Sequence, residues 1–308
     1  MIFNSGRFSN TLSQQQFPML DISVIIVTYN SSRCIQACLD SLSCQKGASY
    51  EVIVVDNTSS DDTVLKVQRN HCLLLQNEEN IGFGRACNLG MSRSTGRYIF
   101  LLNPDAILTN EGDLAEVRRL MDENLQWGLS GAKVLSSNGS LESPPGREYP
   151  GQKHVQRDFS KLPGSISWVI GAALVIRRDL CLRLGGFDPA YFLYSEETDL
   201  CLRIRELGYE IGWMDNIVVR HIGGESEKGV DPFDTACRKL RGLLTFRTKH
   251  YTAEECGFLA NRDLRRSFLR MLTNGFIAFL RGKKSREWEK YRTYRGVWET
   301  SRDYLNSA

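Results

Sequence analysis

The chain has 308 residues, a formal net charge of +3, 42% hydrophobic and 24% charged residues. That is enough to bury a large core and excludes a disordered chain, while the small net charge says little about nucleic acid, the basic residues concentrating after about 238. Nine cysteines occur without a C-x-x-C pair, so no zinc ribbon or dithiol redox motif is visible, and the odd count fits a reducing compartment.

Residues 1–20 are polar, lack an apolar stretch and read as a loosely attached arm rather than a signal peptide. Ile22–Thr28 is a near-continuous β-branched run, as expected of a strand covered on both faces in a parallel sheet. Asn30 and Ser31 are candidate N-caps for a helix reaching about Cys44. Glu51–Val55 is a second buried strand ending at Asp56, and Ser59–Asp62 open another helix, with Ser60 or Asp61 as its cap. A weaker strand covers His71–Leu75, a helix Gly84–Ser92, a strong strand Tyr98–Leu102 and a helix about Gly112–Asn124. Residues 136–165, rich in Gly, Ser and Pro, read as a long loop, of the kind that is often either a functional lid or disordered. Beyond it, Ser167–Arg177 reads as a strand, Gly185–Asp188 as a turn, Glu196–Leu207 as a helix, and Glu210–Met214 and Ile217–Val219 as strands. From about Asp234 the pattern turns helical and basic. No internal repeat and no run of roughly 18 apolar residues is present, so a soluble or peripheral protein of the cytoplasm is expected. Strands alternating with helices predict an α/β fold with a doubly wound, mostly parallel sheet.

Polar groups collect just past the carboxyl ends of the strands, where open α/β sheets bind ligands. Asp105, in Asn103-Pro104-Asp105, is a hard oxygen ligand suited to holding Mg²⁺ or Mn²⁺ against a diphosphate, although the same tripeptide also makes an ordinary turn. Asp56 can accept from a nucleobase or a ribose hydroxyl. The segment 80–88 places Gly82, Gly84 and Arg85 at a helix start, where backbone N–H groups can face an anion; plain turn chemistry explains it equally well. It is neither a dinucleotide fingerprint nor a P-loop. Glu196, Glu197 and Asp199 follow an aromatic run; crowded carboxylates raise one another's pKa and so make a general base, while acids also simply favour a helix N-terminus. His221 is a candidate metal ligand or a structural histidine.

Each of these is weak alone, but their order is specific. SVIIVTYN (23–30), VVDNTSSDDT (54–63), NIGFGRACNLG (80–90), LLNPDA (101–106), GAALVIRRD (171–179), GGFDPAYFLYSEETDLCLR (185–203) and HIGGES (221–226) together resemble glycosyltransferase family two, with its GT-A fold, and in particular its bacterial rhamnosyltransferase-like members. The resemblance covers about 20–245 and implies a catalytic domain over 21–245 with a basic helical extension over 246–308. It also implies that Asp56 contacts the base, with Thr28, Tyr29, Asn30 and Asn57 beside it and Gly82, Arg85 and Asn103 completing the donor site. Asn103-Pro104-Asp105 corresponds to the metal-holding D-x-D motif with Asn first, leaving Asp105 as the direct ligand, and His221 matches a residue that ligates metal or diphosphate. Glu196-Glu197 corresponds to the family's E-D pair; Glu stands at the second position, so the base lies between the two, and Glu197 is the choice.

The implied activity is an inverting transfer from a nucleotide-sugar donor, dTDP-rhamnose first and UDP-sugars next, to a glycan or lipid-linked acceptor in cell-surface polysaccharide synthesis. The rival readings are a catalytically silent nucleotide-sugar-binding homologue and a nucleotidyltransferase; the latter would want a Gly-rich basic loop where TYNSS stands. Residues 262–284 set apolar positions at helical spacing beside seven Arg and Lys, which suits either an interfacial membrane helix or a helix docked on the catalytic domain. No nucleic-acid recognition motif is found.

Overall fold

In a computed structural model of the chain, residues 19–222 and 230–307 are described. The expected arm, save its last two residues, and positions 223–226 of the segment after His221 lie outside them.

The first half alternates strand and helix: β1 (Ile22–Thr28), α1 (Ile35–Ser43), β2 (Tyr50–Asp56), α2 (Thr63–Gln68), β3 (Leu73–Gln76), α3 (Phe83–Arg93) and β4 (Tyr98–Leu102). The second half adds β5 (Ala106–Leu108), α4 (Asp113–Glu123), β6 (Trp127–Ser136), β7 (Ala173–Arg177), α5 (Arg178–Leu184), α6 (Glu196–Glu206) and β8 (Glu210–His221). Three helices close the chain: α7 (Pro232–His250), α8 (Ala253–Arg281) and α9 (Arg286–Ser307).

One eight-stranded sheet runs in the order β3-β2-β1-β4-β7-β6-β8-β5. The first four strands are parallel neighbours. β7 then runs antiparallel to β4 and β6, and β5 antiparallel to β8, so the sheet is parallel over β3-β2-β1-β4 and mixed beyond. All seven residues of β1 are buried. Ile22, Val24 and Ile26 enter one core with α1 and α4, and Ile25 and Val27 enter the other with α3 and α6, which is why the run carries no polar alternation.

Several sequence expectations are corrected. The strand read from Ser167 is regular only from Ala173, and Trp168 makes a single bridge to Gly146. The two strands read at 210–219 are one, β8, paired to β6 across a register shift at Ala132/Lys133. β6 itself went unread because glycine and serine dilute its apolar pattern. Those glycines permit close approach: a Cβ on Gly131 would lie 2.7 Å from Val169, and one on Gly128 2.7 Å from Ile204 and Leu180. Neither Asn30 nor Ser31 caps α1, whose N-cap is Cys34 with no side-chain cap bond. Neither Ser60 nor Asp61 is the N-cap of α2, which is Asp62 with no side-chain cap bond; Asp61 accepts from the Thr63 N–H at 3.0 Å, and Ser60 turns to Asn30.

The loop over 136–165 is pinned rather than loose. Buried Arg205 on α6 donates to the carbonyls of Leu162, Pro163 and Gly164 at 2.9–3.2 Å and to the Tyr149 hydroxyl at 3.2 Å. A third core of Tyr149, Phe159, Tyr191, Leu202, Phe246, Tyr251, Cys256 and Leu259 joins this loop to α6, α7 and α8. The expected boundary at 245/246 therefore falls inside α7, one residue before a fully buried phenylalanine.

Candidate active site

The strand ends of β1, β2 and β4 and the N-terminus of α6 converge on one edge of the sheet. Thr28 is fully buried and donates its hydroxyl to Asp56 Oδ1 at 2.7 Å; Ser59 donates its hydroxyl to the same oxygen at 2.6 Å and its N–H to Oδ2 at 2.9 Å. Asp56 is thus oriented by three donors. Asn57, also buried, accepts from Asn77 at 2.8 Å and donates to the Gly82 carbonyl at 3.3 Å, so it ties β2 to the start of α3. Asn30 sits at φ 50° and accepts from the N–H and hydroxyl of Ser60. Tyr29, between these anchored residues, is exposed and free to offer a ring face.

Gly82, with φ 86°, lies where a Cβ would stand 2.5 Å from the Phe192 carbonyl oxygen, and that carbonyl accepts the Phe83 N–H at 2.9 Å. Arg85, expected at the donor site, is exposed and donates its Nε to the Pro189 carbonyl at 2.9 Å. The 80–85 segment therefore holds the 187–195 loop.

Beyond β4, buried Asp105 places Oδ1 2.9 Å from His221 Nε2, across the β5–β8 pairing that sets Ala106 opposite His221. Asn103 Nδ2 is 3.3 Å from the same ring nitrogen. The second nitrogen, Nδ1, is 2.7 Å from Glu142 Oε2. Burial works against a charged imidazole here, but the two carboxylates outweigh it and lift His221 to about 9. Glu142 was not anticipated; it lies 79 residues from its partner in a polar loop, and nothing in its neighbours marks it.

Glu196 and Glu197 open α6 after two left-handed non-glycine residues, Tyr194 (φ 72°) and Ser195 (φ 69°). Such backbone costs about 1–3 kcal/mol per residue and needs external support. The support is α7: Gly242 lies so close that a Cβ there would be 2.2 Å from the Tyr194 carbonyl oxygen, and the Lys239 ammonium sits 5.0 Å from the Tyr194 ring centroid. Glu196 is buried toward Gly84 and Cys87 with Oε2 lacking a partner; burial and the neighbouring Glu197 charge push its carboxyl well above the usual range. Glu197 is half-buried against Gly171, and burial raises it from 4.5 to about 7. Asp199, grouped with them in the sequence, behaves oppositely. Burial would raise it, but a 2.8 Å bond from His250 and the Arg203 guanidinium at 2.7 Å hold it below the usual range, so it is a strut between α6 and α7.

Residues 23–185 match the glycosyl transferase family 2 domain. The chain belongs to glycosyl transferase family 2. It is therefore a glycosyltransferase, and the converging strand ends described above belong to its catalytic domain. Among similar proteins, the N-acetylglucosaminyl-diphospho-decaprenol L-rhamnosyltransferase of Mycobacterium tuberculosis is 27% identical over 247 residues, 68% of this chain and 78% of that protein. Rhamnosyltransferase WbbL of Escherichia coli is 26% identical over 220 residues, 63% of this chain and 80% of that one. The fold is shared with Staphylococcus aureus TarS 1-349 (TM-score 0.55, 18% identity, 94% of this chain and 92% of that one). It is shared equally with mannosyltransferase PcManGT of Pyrobaculum calidifontis, solved with GDP-Man and Mn²⁺ (TM-score 0.55, 17% identity, 94% and 87%). These likenesses make the GT-A architecture expected from the sequence a finding.

No cluster of three metal-ligating side chains exists among the described residues. The donor chemistry nevertheless fits a divalent cation. A carboxylate (Asp105) and an imidazole nitrogen (His221 Nε2) adjoin, and the other imidazole nitrogen is held by a carboxylate, as in carboxylate–histidine–metal arrangements. Mg²⁺ and Mn²⁺ need only one or two protein ligands when a diphosphate supplies the rest.

Proposed function

We propose that the transferase moves a sugar, with inversion, from a nucleoside-diphosphate donor to a hydroxyl of a lipid-linked or glycan acceptor, with dTDP-rhamnose the favoured donor and UDP-sugars next. The observation that carries the reading is the pair at the start of α6. Glu196 is buried and its carboxyl is pushed well above the usual range, while half-buried Glu197 is lifted to about 7. Two adjacent carboxyls with split proton affinities give one structural acid and one general base poised at working pH.

In the reaction, Glu197 accepts the proton of the acceptor hydroxyl as that oxygen bonds to the anomeric carbon. The bond from that carbon to the diphosphate oxygen breaks on the opposite face, and the nucleoside diphosphate departs with the electron pair. Asp105 and His221, oriented by Glu142, would hold the divalent cation, which when bound supplies positive charge to the diphosphate. Exposed Tyr29 offers a stacking face for the base, and Asp56 a fixed carboxylate rim. The names of both relatives support rhamnose, and that of the Mycobacterium tuberculosis protein a diphospholipid-linked acceptor, which a peripheral enzyme at the cytoplasmic face of a membrane would meet.

The test is a thermal-shift panel of dTDP, UDP, GDP and CDP, each with and without Mn²⁺ or Mg²⁺. A ligand that binds only the native state raises Tm by mass action. A metal-dependent rise with dTDP is expected; a rise with UDP alone moves the donor to the second choice. No rise with any nucleotide would refute the reading.

A further inference from the structure

The first half of α8 is anchored on one face: Cys256 and Leu259 enter the third core. The second half leaves that support. The helix has 29 residues, about 44 Å at 1.5 Å per residue, and its distal turns are accompanied by α9. Leu269, Leu272, Phe276, Phe279 and Leu280 recur at three- and four-residue spacing and so share one face. Their exposures are 63, 53, 68, 86 and 67%, while Ala278 between them is buried on the opposite side. Soluble proteins rarely leave such a contiguous apolar stripe open without a use for it. Beside it runs a groove of about 530 Å³ between α8 and α9, lined by Met271, Leu272, Gly275, Phe276, Phe279 and Trp288.

The charge around the stripe chooses the occupant. Residues 262–287 carry eight Arg and Lys against two acids, Asp263 and Glu287. Both acids are spoken for, Asp263 by Arg247 at 2.6 Å and Glu287 by Arg281 at 3.0 Å. Arg262, Arg265, Arg266, Lys283, Lys284 and Arg286 border the stripe at its two ends, and Trp288 and Tyr291 stack 5.3 Å apart at its margin. A second copy of the chain would bring like charge against like charge. A lipid leaflet with anionic headgroups matches both parts: hydrocarbon for the leucines and phenylalanines, phosphates for the cations.

We propose that the exposed face of α8 between Leu269 and Leu280, with Lys283, Lys284 and Arg286, is the membrane-docking surface of the transferase and selects anionic lipid. This deepens the lipid-linked acceptor reading by naming the surface that delivers the enzyme to its acceptor.

Full-length protein is sedimented with vesicles of phosphatidylcholine, with and without phosphatidylglycerol. Binding is expected with phosphatidylglycerol and should be weak without it. Lys283→Gln with Lys284→Gln should weaken it about 30-fold at low salt. Phe276→Ser, Phe279→Ser and Leu280→Ser together should abolish it at an unchanged melting temperature, since these side chains are exposed. No sedimentation with anionic vesicles, or equal sedimentation of the triple variant, overturns the proposal. So does a parent dimer in analytical ultracentrifugation that the triple variant turns into monomer without any vesicle binding. No nucleotide sugar enters the assay, so its result stands apart from that of the donor panel.

Discussion

Glu197 differs from its neighbour by access rather than chemistry. Both carboxyls are lifted by burial, but Glu197 is the less buried residue of the two. Because the pair titrates together, the acid limb of kcat/KM is expected near pH 7 rather than near 4.5. Glu197→Gln should bind the donor nucleotide normally and lose turnover by about 10²–10⁴-fold. Folding raises this carboxyl's pKa, so it contributes stability in full below 4.5, and that contribution is lost as pH rises through about 7. Glu197→Gln should therefore melt above the parent at pH 8 and level with it at pH 4. Equal melting at both values would remove the basis for the raised pKa. Glu142 acts through another residue. By holding His221 Nδ1 at 2.7 Å it fixes which ring nitrogen faces Asp105. Glu142→Gln should weaken Mn²⁺ binding, read by titration calorimetry, about 10–100-fold. Asp105 and Glu197 were legible in the sequence because a strand end and a helix start give them addresses. Glu142 was not, because its role depends on a fold of the loop that no local pattern encodes.

At the scale of elements, the catalytic turn is held by a helix outside the α/β alternation. Tyr194 and Ser195 both adopt positive φ without being glycine, and the Gly242 backbone of α7 presses on the carbonyl between β7 and α6 that this geometry creates. Alanine at 242 would gain about 0.5–1 kcal/mol of helix propensity. A contact of 2.2 Å to a backbone oxygen cannot be relieved by a rotamer, however, and overpacking costs about 1–3 kcal/mol. Gly242→Ala should lower Tm and reduce kcat more than it raises KM, because Glu197 moves and the donor-side strands do not; a rise in Tm would show that the contact is slack. The elements themselves were legible where their period was clean. β1, β4 and α6 stood out in the sequence nearly to the residue, whereas β6 was hidden by glycines chosen for contact with Val169 and Ile204 rather than for β propensity.

For the whole molecule, the question is whether the α-helical end is an appendage. The family resemblance drew a line at 245, past the point near Asp234 where the chain turns helical and basic. The packing runs across that line: Phe246 is fully buried, with ring centroids 6.0 Å from Tyr149 and 5.9 Å from Tyr251. His250 reaches Asp199 on the catalytic helix, and buried Arg247 pairs with Asp263 of α8. Charge is a surface property, and it says nothing about which apolar side chains a helix places underneath. Phe246→Ala should cost about 3–5 kcal/mol, within the range for emptying a phenylalanine site. A chain ended at residue 245 would lose that ring, the His250 strut and the α8 residues of the third core together, and would leave Asp199 buried with one fewer partner. It should fail to give a cooperative thermal transition, while the full chain gives one. If the shortened protein melted cooperatively near the full-length Tm, the third core would be a contact between independent units.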